Sequence, residues 1–139
     1  MNCGAIGVPD LVVDASATVL ALTGTTDDAK AIRKRLAATT THAPHLLDAE
    51  VGHVLRRLER TGVIDDEEAS TALGALPHLV DHRYPHTGRL AQATWELRHT
   101  VTFYDGLYVA LAAALDVPLM TSDEKLTKAP DLPCEVELV

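Results

Sequence analysis

Residues 102–126, TFYDGLYVALAAALDVPLMTSDEKL, decide how the chain is read. A helix rich in Ala and Leu opens on Asp105 and gives way at Pro118 to a short apolar strand over 119–121, which stops at a second acid, Asp123. One helix–strand unit thus carries two carboxylates, each just past an element boundary, where a side chain is aimed rather than merely solvated. Acids at similar boundaries elsewhere would turn the pair into a site.

Upstream, residues 11–13 form another apolar run ended by an acid, Asp14, and followed by Ala15, Ser16 and Ala17, which predicts a buried strand feeding a helix. Gly24 ends that helix, and Thr25, Thr26 and Asp27 cap the next, over 29–36, to which Lys30, Arg33, Lys34 and Arg35 give a basic face. Residues 42–45, containing Pro44, read as an extended link. A helix over 46–60 then places Leu47, Val51, Val54, Leu55 and Leu58 at helical spacing, with Glu50 beside that stripe. The acids 65–68 suit a helix N-terminus. Residues 79–84 alternate weakly as a strand ended by Pro85, a helix is predicted over 88–99, and a last strand over 134–138 follows Pro130 and Pro133. This order predicts α/β architecture with a mainly parallel sheet and right-handed crossovers. Ligands of such sheets sit beyond the carboxyl ends of the strands, so Asp14 and Asp123 share one crevice if their strands are neighbours.

With 139 residues the chain suffices for a single domain, 1–139, with its core over about 11–136. The hydrophobic share is 47% but aromatics are only 4%, so the core is expected to be Ala, Val and Leu. A net charge of −8 argues against a passive basic nucleic-acid binder, unless cations mediate the contact. Cys3 and Cys134 lack metal-ligand spacing and suit a reduced, cytoplasmic protein. No basic leader and no apolar membrane span is visible in the sequence.

Carboxylates gathered in one cleft repel each other unless protons or a cation neutralise them. Oxygen ligands select hard cations, so Mg2+ or Mn2+ is the natural occupant, and such an ion activates water for in-line attack on phosphorus. Lys30, Arg33, Lys34, Arg56, Arg57 and Arg60 could follow a polyanion outside the pocket. Each acid also has a purely structural use. Asp14 and Asp123 could cap the helices they precede, Asp105 could favour its own helix N-terminus, and Glu50 could form a buried ion pair. Asp116 belongs to the helix–strand turn. His42 and His45 lack a third zinc ligand, Tyr104 and Tyr108 suit packing or base stacking, and Trp95 suits a core or an interface.

The segments LVVDASA, LLDAEVGHVLRRL, TFYDGLYVALAAAL and LMTSDEKL, in that order, resemble the four acidic blocks of the PIN domain, specifically the VapC toxins of bacterial toxin–antitoxin modules. The resemblance covers 11–136. It implies a three-layer α/β/α fold, magnesium-dependent endoribonuclease activity, and inhibition by a small cognate antitoxin, VapB-like. Carried over by position, the family's acids fall on Asp14, Glu50, Asp105 and Asp123. Asp14, Asp105 and Asp123 would be the direct metal ligands and Glu50 would bind through water or serve a second ion. The family's hydroxyl near the metal would be Thr121 or Ser16. An alternative is a non-catalytic PIN-like module binding RNA or protein, which would be expected to have lost an acid. A receiver-like phosphoacceptor domain would want paired acids after the first strand, where Asp14 is followed by Ala15. An antitoxin would plug the crevice with an Arg, the RNA substrate would be single-stranded or structured, and Val51, Leu55 and Leu58 suggest a homodimer face.

Overall fold

The computed structural model describes residues 7–139; Cys3 lies outside the described residues. In chain order the elements are β1 (Asp10–Val13), α1 (Ala15–Thr23), α2 (Asp27–Ala37), β2 (Thr40–Pro44), α3 (Leu46–Arg60), α4 (Asp66–Leu79), β3 (His82–Tyr84), α5 (Arg89–Trp95), α6 (Phe103–Leu115), β4 (Leu119–Thr121), α7 (Glu124–Thr127) and β5 (Val136–Leu138). The strands form one sheet in the order β3-β2-β1-β4-β5, and every ladder is parallel. From β1 the chain steps outward to β2 and β3, then returns across the sheet to β4 and β5. The strand order therefore reverses between β1 and β4, where open α/β sheets leave a crevice at their carboxyl ends.

Reversing direction with right-handed crossovers sends the two sets of helices to opposite faces. Accordingly α1, α2, α3 and α4 pack among themselves, while α5 packs on α6. Buried on both sides, β1 has Leu11, Val12 and Val13 no more than 1% exposed. Helix α6 lies deepest of the helices, with every residue from Gly106 to Ala112 buried. Its small side chains permit that close packing. It ends on Asp116 in the left-handed region, φ 54°, and Pro118 then prevents any continuation, so the turn role of Asp116 is borne out.

Several boundaries differ from expectation. Residues 40–44 are a central strand rather than a link; Pro44 occupies the strand's last position, where a missing N–H is tolerated, and Thr40 and Thr41 supply β-branched residues. Helix α5 stops at Trp95 because the next turns tighten to i→i+3 bonds, such as Leu97 N–H to Thr94 O at 2.9 Å. Helix α6 opens at Phe103 behind a Thr102 cap, which makes Asp105 its third residue. Leu79 ends α4, and β5 begins only at Val136. Val51 and Leu55 are buried in this chain's own core and Leu58 packs against it, so these residues are not a spare dimer face.

Candidate active site

Asp14 leaves β1 at the switch point and is only 8% exposed. Its Oδ1 accepts from the Ala17 N–H at 3.0 Å, capping α1, and from the Ser16 hydroxyl at 2.7 Å. Its Oδ2 accepts from the Thr121 hydroxyl, which reaches across from the end of neighbouring β4. The Thr121 Oγ1 also accepts the Asp123 N–H at 3.0 Å, while the Ser16 Oγ accepts the Ser122 N–H at 2.9 Å. Both hydroxyls singled out in the sequence thus serve the same carboxylate and stitch the two strand ends together. Asp123 caps α7 through the Lys125 N–H at 3.0 Å and still lines the crevice. Capping and facing the crevice are therefore not alternatives for Asp14 or Asp123, since a carboxylate has lone pairs enough for both.

The walls come from α3 and α6. Glu50, Val54, Arg57 and Leu58 fall on one face of α3, and Asp105 and Tyr108, three residues apart, on one face of α6; with Asp14 and Asp123 they enclose a hollow of about 340 Å³. Glu50 does not pair with an Arg. The buried Tyr108 hydroxyl instead donates to its Oε1 at 2.5 Å. Sequence reasoning treated Tyr108 as a packing or stacking residue and missed this role; the signal available was its helical spacing from Asp105. Tyr108 is too buried to stack on a base.

No cation answers these acids within the site. Among the described residues none of Asp14, Glu50, Asp105 and Asp123 forms an ion pair, and Arg57 stands exposed on the wall. Burial raises the Asp14 carboxyl above the ordinary carboxylate range against the pull of its hydrogen bonds, and the charge of Asp105 adds to the rise. Glu50 is raised by burial and by Asp105 and Asp14, against the Tyr108 bond. Asp105 is raised by burial and by Asp123. The Tyr108 phenol is pushed far up by burial and by Glu50, so it remains a donor.

Among the described residues no group of three or more His, Cys, Asp or Glu is arranged to hold one ion. The four acids face a common space without closing on a point, as like charges do. The donor set itself is all oxygen, anionic and partly desolvated, and it fits a hard divalent cation.

Other expectations resolve plainly. His42 is a packing residue, bonded to Asp10 at 2.7 Å and to the Tyr84 hydroxyl at 2.7 Å. Arg33 is not free to meet a polyanion, because its guanidinium donates to the Ala21 and Gly24 carbonyls at 2.9 and 2.8 Å. Arg56 lies in a different hollow, between α3 and α4. Trp95, expected in a core or interface, is 57% exposed. No helix among the described residues is long and apolar enough to cross a membrane.

The family model for the PIN domain matches residues 11–132. The chain is 58% identical over 130 residues to Ribonuclease VapC1 of Mycobacterium tuberculosis, covering 94% of this chain and 98% of that one. It is 41% identical over 119 residues to Ribonuclease VapC3 of the same organism, covering 86% of each. Among solved structures, VapBC2 from Rickettsia felis superposes with a TM-score of 0.69 at 14% identity over 94% of this chain and 98% of that one. Mycobacterium tuberculosis VapC20, described as a sarcin-ricin loop cleaving toxin, superposes with a TM-score of 0.63 at 16% identity over 90% and 98%.

Proposed function

The chain belongs to the PIN domain family, and on that footing we propose that it is the toxin of a toxin–antitoxin pair, an endoribonuclease that hydrolyses RNA phosphodiester bonds in the cytoplasm with Mg2+ or Mn2+. The observation that carries this reading is the cluster of four carboxylates at the β1/β4 switch point, three of them raised in pKa and none paired with a cation. An acid cluster kept at that cost needs a ligand to neutralise it.

Asp14, Asp105 and Asp123 would hold the cation directly, and Glu50 would act through water. A divalent ion held there supplies a Lewis acid that lowers the pKa of water and offsets charge on the phosphate oxygens. The chain's own residues prepare the ground for this. Ser16, Thr121 and the Ala17 N–H fix the Asp14 carboxylate in one orientation. Tyr108 orients Glu50 without adding charge, and Arg57 is the one cationic side chain on the wall, suited to a phosphate.

The partner in this reading is a small VapB-like antitoxin; VapBC complexes are among the structural neighbours, from Rickettsia felis and Salmonella typhimurium. An antitoxin Arg entering the crevice would meet unpaired carboxylates. A homodimer also belongs to this reading, with its face sought on exposed residues such as Val63 and Leu73 rather than on Val51 and Leu55. The test is cleavage of a structured RNA by the purified protein with Mg2+, with Mn2+ and with EDTA. Cleavage that requires metal and vanishes in Asp123→Asn is the expected result; cleavage surviving either EDTA or that substitution overturns the mechanism.

A further inference from the structure

Aromatic residues are scarce in this chain, with one Trp, three Tyr and one Phe. Yet Trp95, Phe103 and Tyr104 are 57%, 39% and 61% exposed, and all three lie in the short stretch leading into Asp105. Large aromatics in a core-limited domain are normally buried. Here Tyr108 is buried in an otherwise aliphatic core, and these three are left outside.

Their position is fixed relative to the crevice. Thr94 is 1% exposed and packs so tightly on α6 that a Cβ at Gly106 would come within 2.9 Å of its Cγ2. The end of α5 is therefore pinned beside the residue that follows Asp105, and Trp95 stands next to that junction. Arg98 lies over the indole, 4.8 Å from its ring centroid, and its Nη1 donates to the Trp95 carbonyl at 2.9 Å. Between Tyr84 and Tyr104 the only acid is Glu96, against Arg89 and Arg98, in a chain whose net charge is −8.

We propose that Trp95, Arg98 and Tyr104 form a stacking platform for bases of single-stranded RNA, next to the phosphodiester presented to the four acids. The proposal rests on the ribonuclease reading and deepens it. The acidic crevice repels a polyanion at every point except where a cation intervenes, so affinity for RNA has to come from elsewhere. Aromatic faces beside a guanidinium supply it, because every base has a π face and the backbone follows the positive charge. In a symmetric dimer this locally basic stretch, with Arg89 and Arg98 against Glu96, would face its own copy, whereas RNA brings phosphates to it, and this favours RNA over a second copy of the chain as the occupant.

Trp95 is the sole tryptophan, so its fluorescence reports the platform alone. The experiment titrates the purified protein, in EDTA so that no cleavage occurs, with a short mixed-sequence single-stranded RNA. Saturable quenching is expected in the unsubstituted protein. Kd, read for every variant from the fluorescence anisotropy of the same RNA carrying a dye at one end, should be weakened at least about fivefold in Trp95→Ala and by a smaller factor in Tyr104→Ala. Trp95→Phe, which keeps a π face and guards against misfolding, should retain most of the affinity. Absence of quenching, or an unchanged Kd in Trp95→Ala, overturns the platform. A Trp95→Ala protein that changes oligomeric state while binding RNA normally assigns the surface to a protein partner and also overturns it. Metal-dependent cleavage is measured separately on the unsubstituted protein. Cleavage without a Trp95 effect defeats the platform alone, whereas no cleavage of any RNA defeats the ribonuclease reading itself.

Discussion

The two flanks of the sheet treat their acids in opposite ways. Around β2 and β3 two of the acids meet a basic side chain, the Arg83 Nε and Nη2 donating to Asp48 at 2.7 and 3.0 Å and Asp10 meeting His42 at 2.7 Å, while Asp81 stands apart from other acids and accepts from the Thr41 N–H at 2.9 Å. Between β1 and β4 the acids accept from hydroxyls and backbone amides, with no cationic partner, and feel one another's charge across the crevice. Paired acids hold elements together. Crowded acids raise the energy of the folded chain at neutral pH and keep a ligand site ready, so the same residue type stabilises at one flank and is held for chemistry at the other.

The largest expected effect separates these roles. Asp14→Asn retains a side chain of the same shape, still able to accept from the Ala17 N–H, but removes a ligand charge. Metal-dependent RNA cleavage should fall by about a thousandfold, the equivalent of several kcal/mol of lost charge stabilisation. The thermal midpoint of the metal-free protein should hold or rise. Asp48→Asn should do the reverse, costing up to about 1 kcal/mol of stability by removing the charge that pairs with Arg83 in this partly exposed bridge, while cleavage per folded molecule stays the same. Parallel melts and rate measurements decide the matter, and equal losses of midpoint in both variants would erase the distinction.

Next in size is Tyr108→Phe. The substitution deletes one buried hydroxyl and leaves Glu50 Oε1 without its donor. Cleavage should drop between about tenfold and a hundredfold, as is usual when a group orienting a metal ligand is lost. A role confined to packing would leave the metal requirement alone. The Mn2+ concentration needed for half-maximal binding, followed by calorimetry without RNA, should instead increase. A binding curve that superposes on the parent's would return Tyr108 to the core.

How much of this arrangement the sequence carried depends on the range of the interaction. The acids Asp14, Asp105 and Asp123 were legible because each sits at a local boundary that short-range rules mark: an apolar run that stops, or the first turn of a helix. Glu50 was legible as an acid beside an apolar stripe, but its partner was not. Tyr108 is 58 residues away, and the contact depends on how the sheet brings α3 and α6 to one crevice. Strand β2 was misread because Pro44 weighs against a strand locally, while the ladder with β1 that overrides it is a tertiary fact. The pairing of Val51 and Leu55 with the core, rather than with a second copy, was hidden for the same reason.

The smallest expected effect tests the crowding itself through pH. Asp14, Glu50 and Asp105 are all raised in the folded protein above ordinary values of 3.8 to 4.5. The folded state therefore binds their protons more tightly than the unfolded chain does. Stability from these groups is fully present below the ordinary values and is lost as pH rises through the raised ones. The metal-free thermal midpoint should accordingly climb by a few degrees as pH is lowered from neutral toward the ordinary carboxylate values. Asp14→Asn, lacking the most buried of the three, should show a shallower climb. Saturating Mg2+ should flatten it too, because a cation at the crevice does for the carboxylates what protons do, and the gain then appears at neutral pH. A midpoint that falls steadily over this range, in the parent and in Asp14→Asn alike, would mean that the crevice acids do not govern the pH response and that their crowding carries no measurable strain.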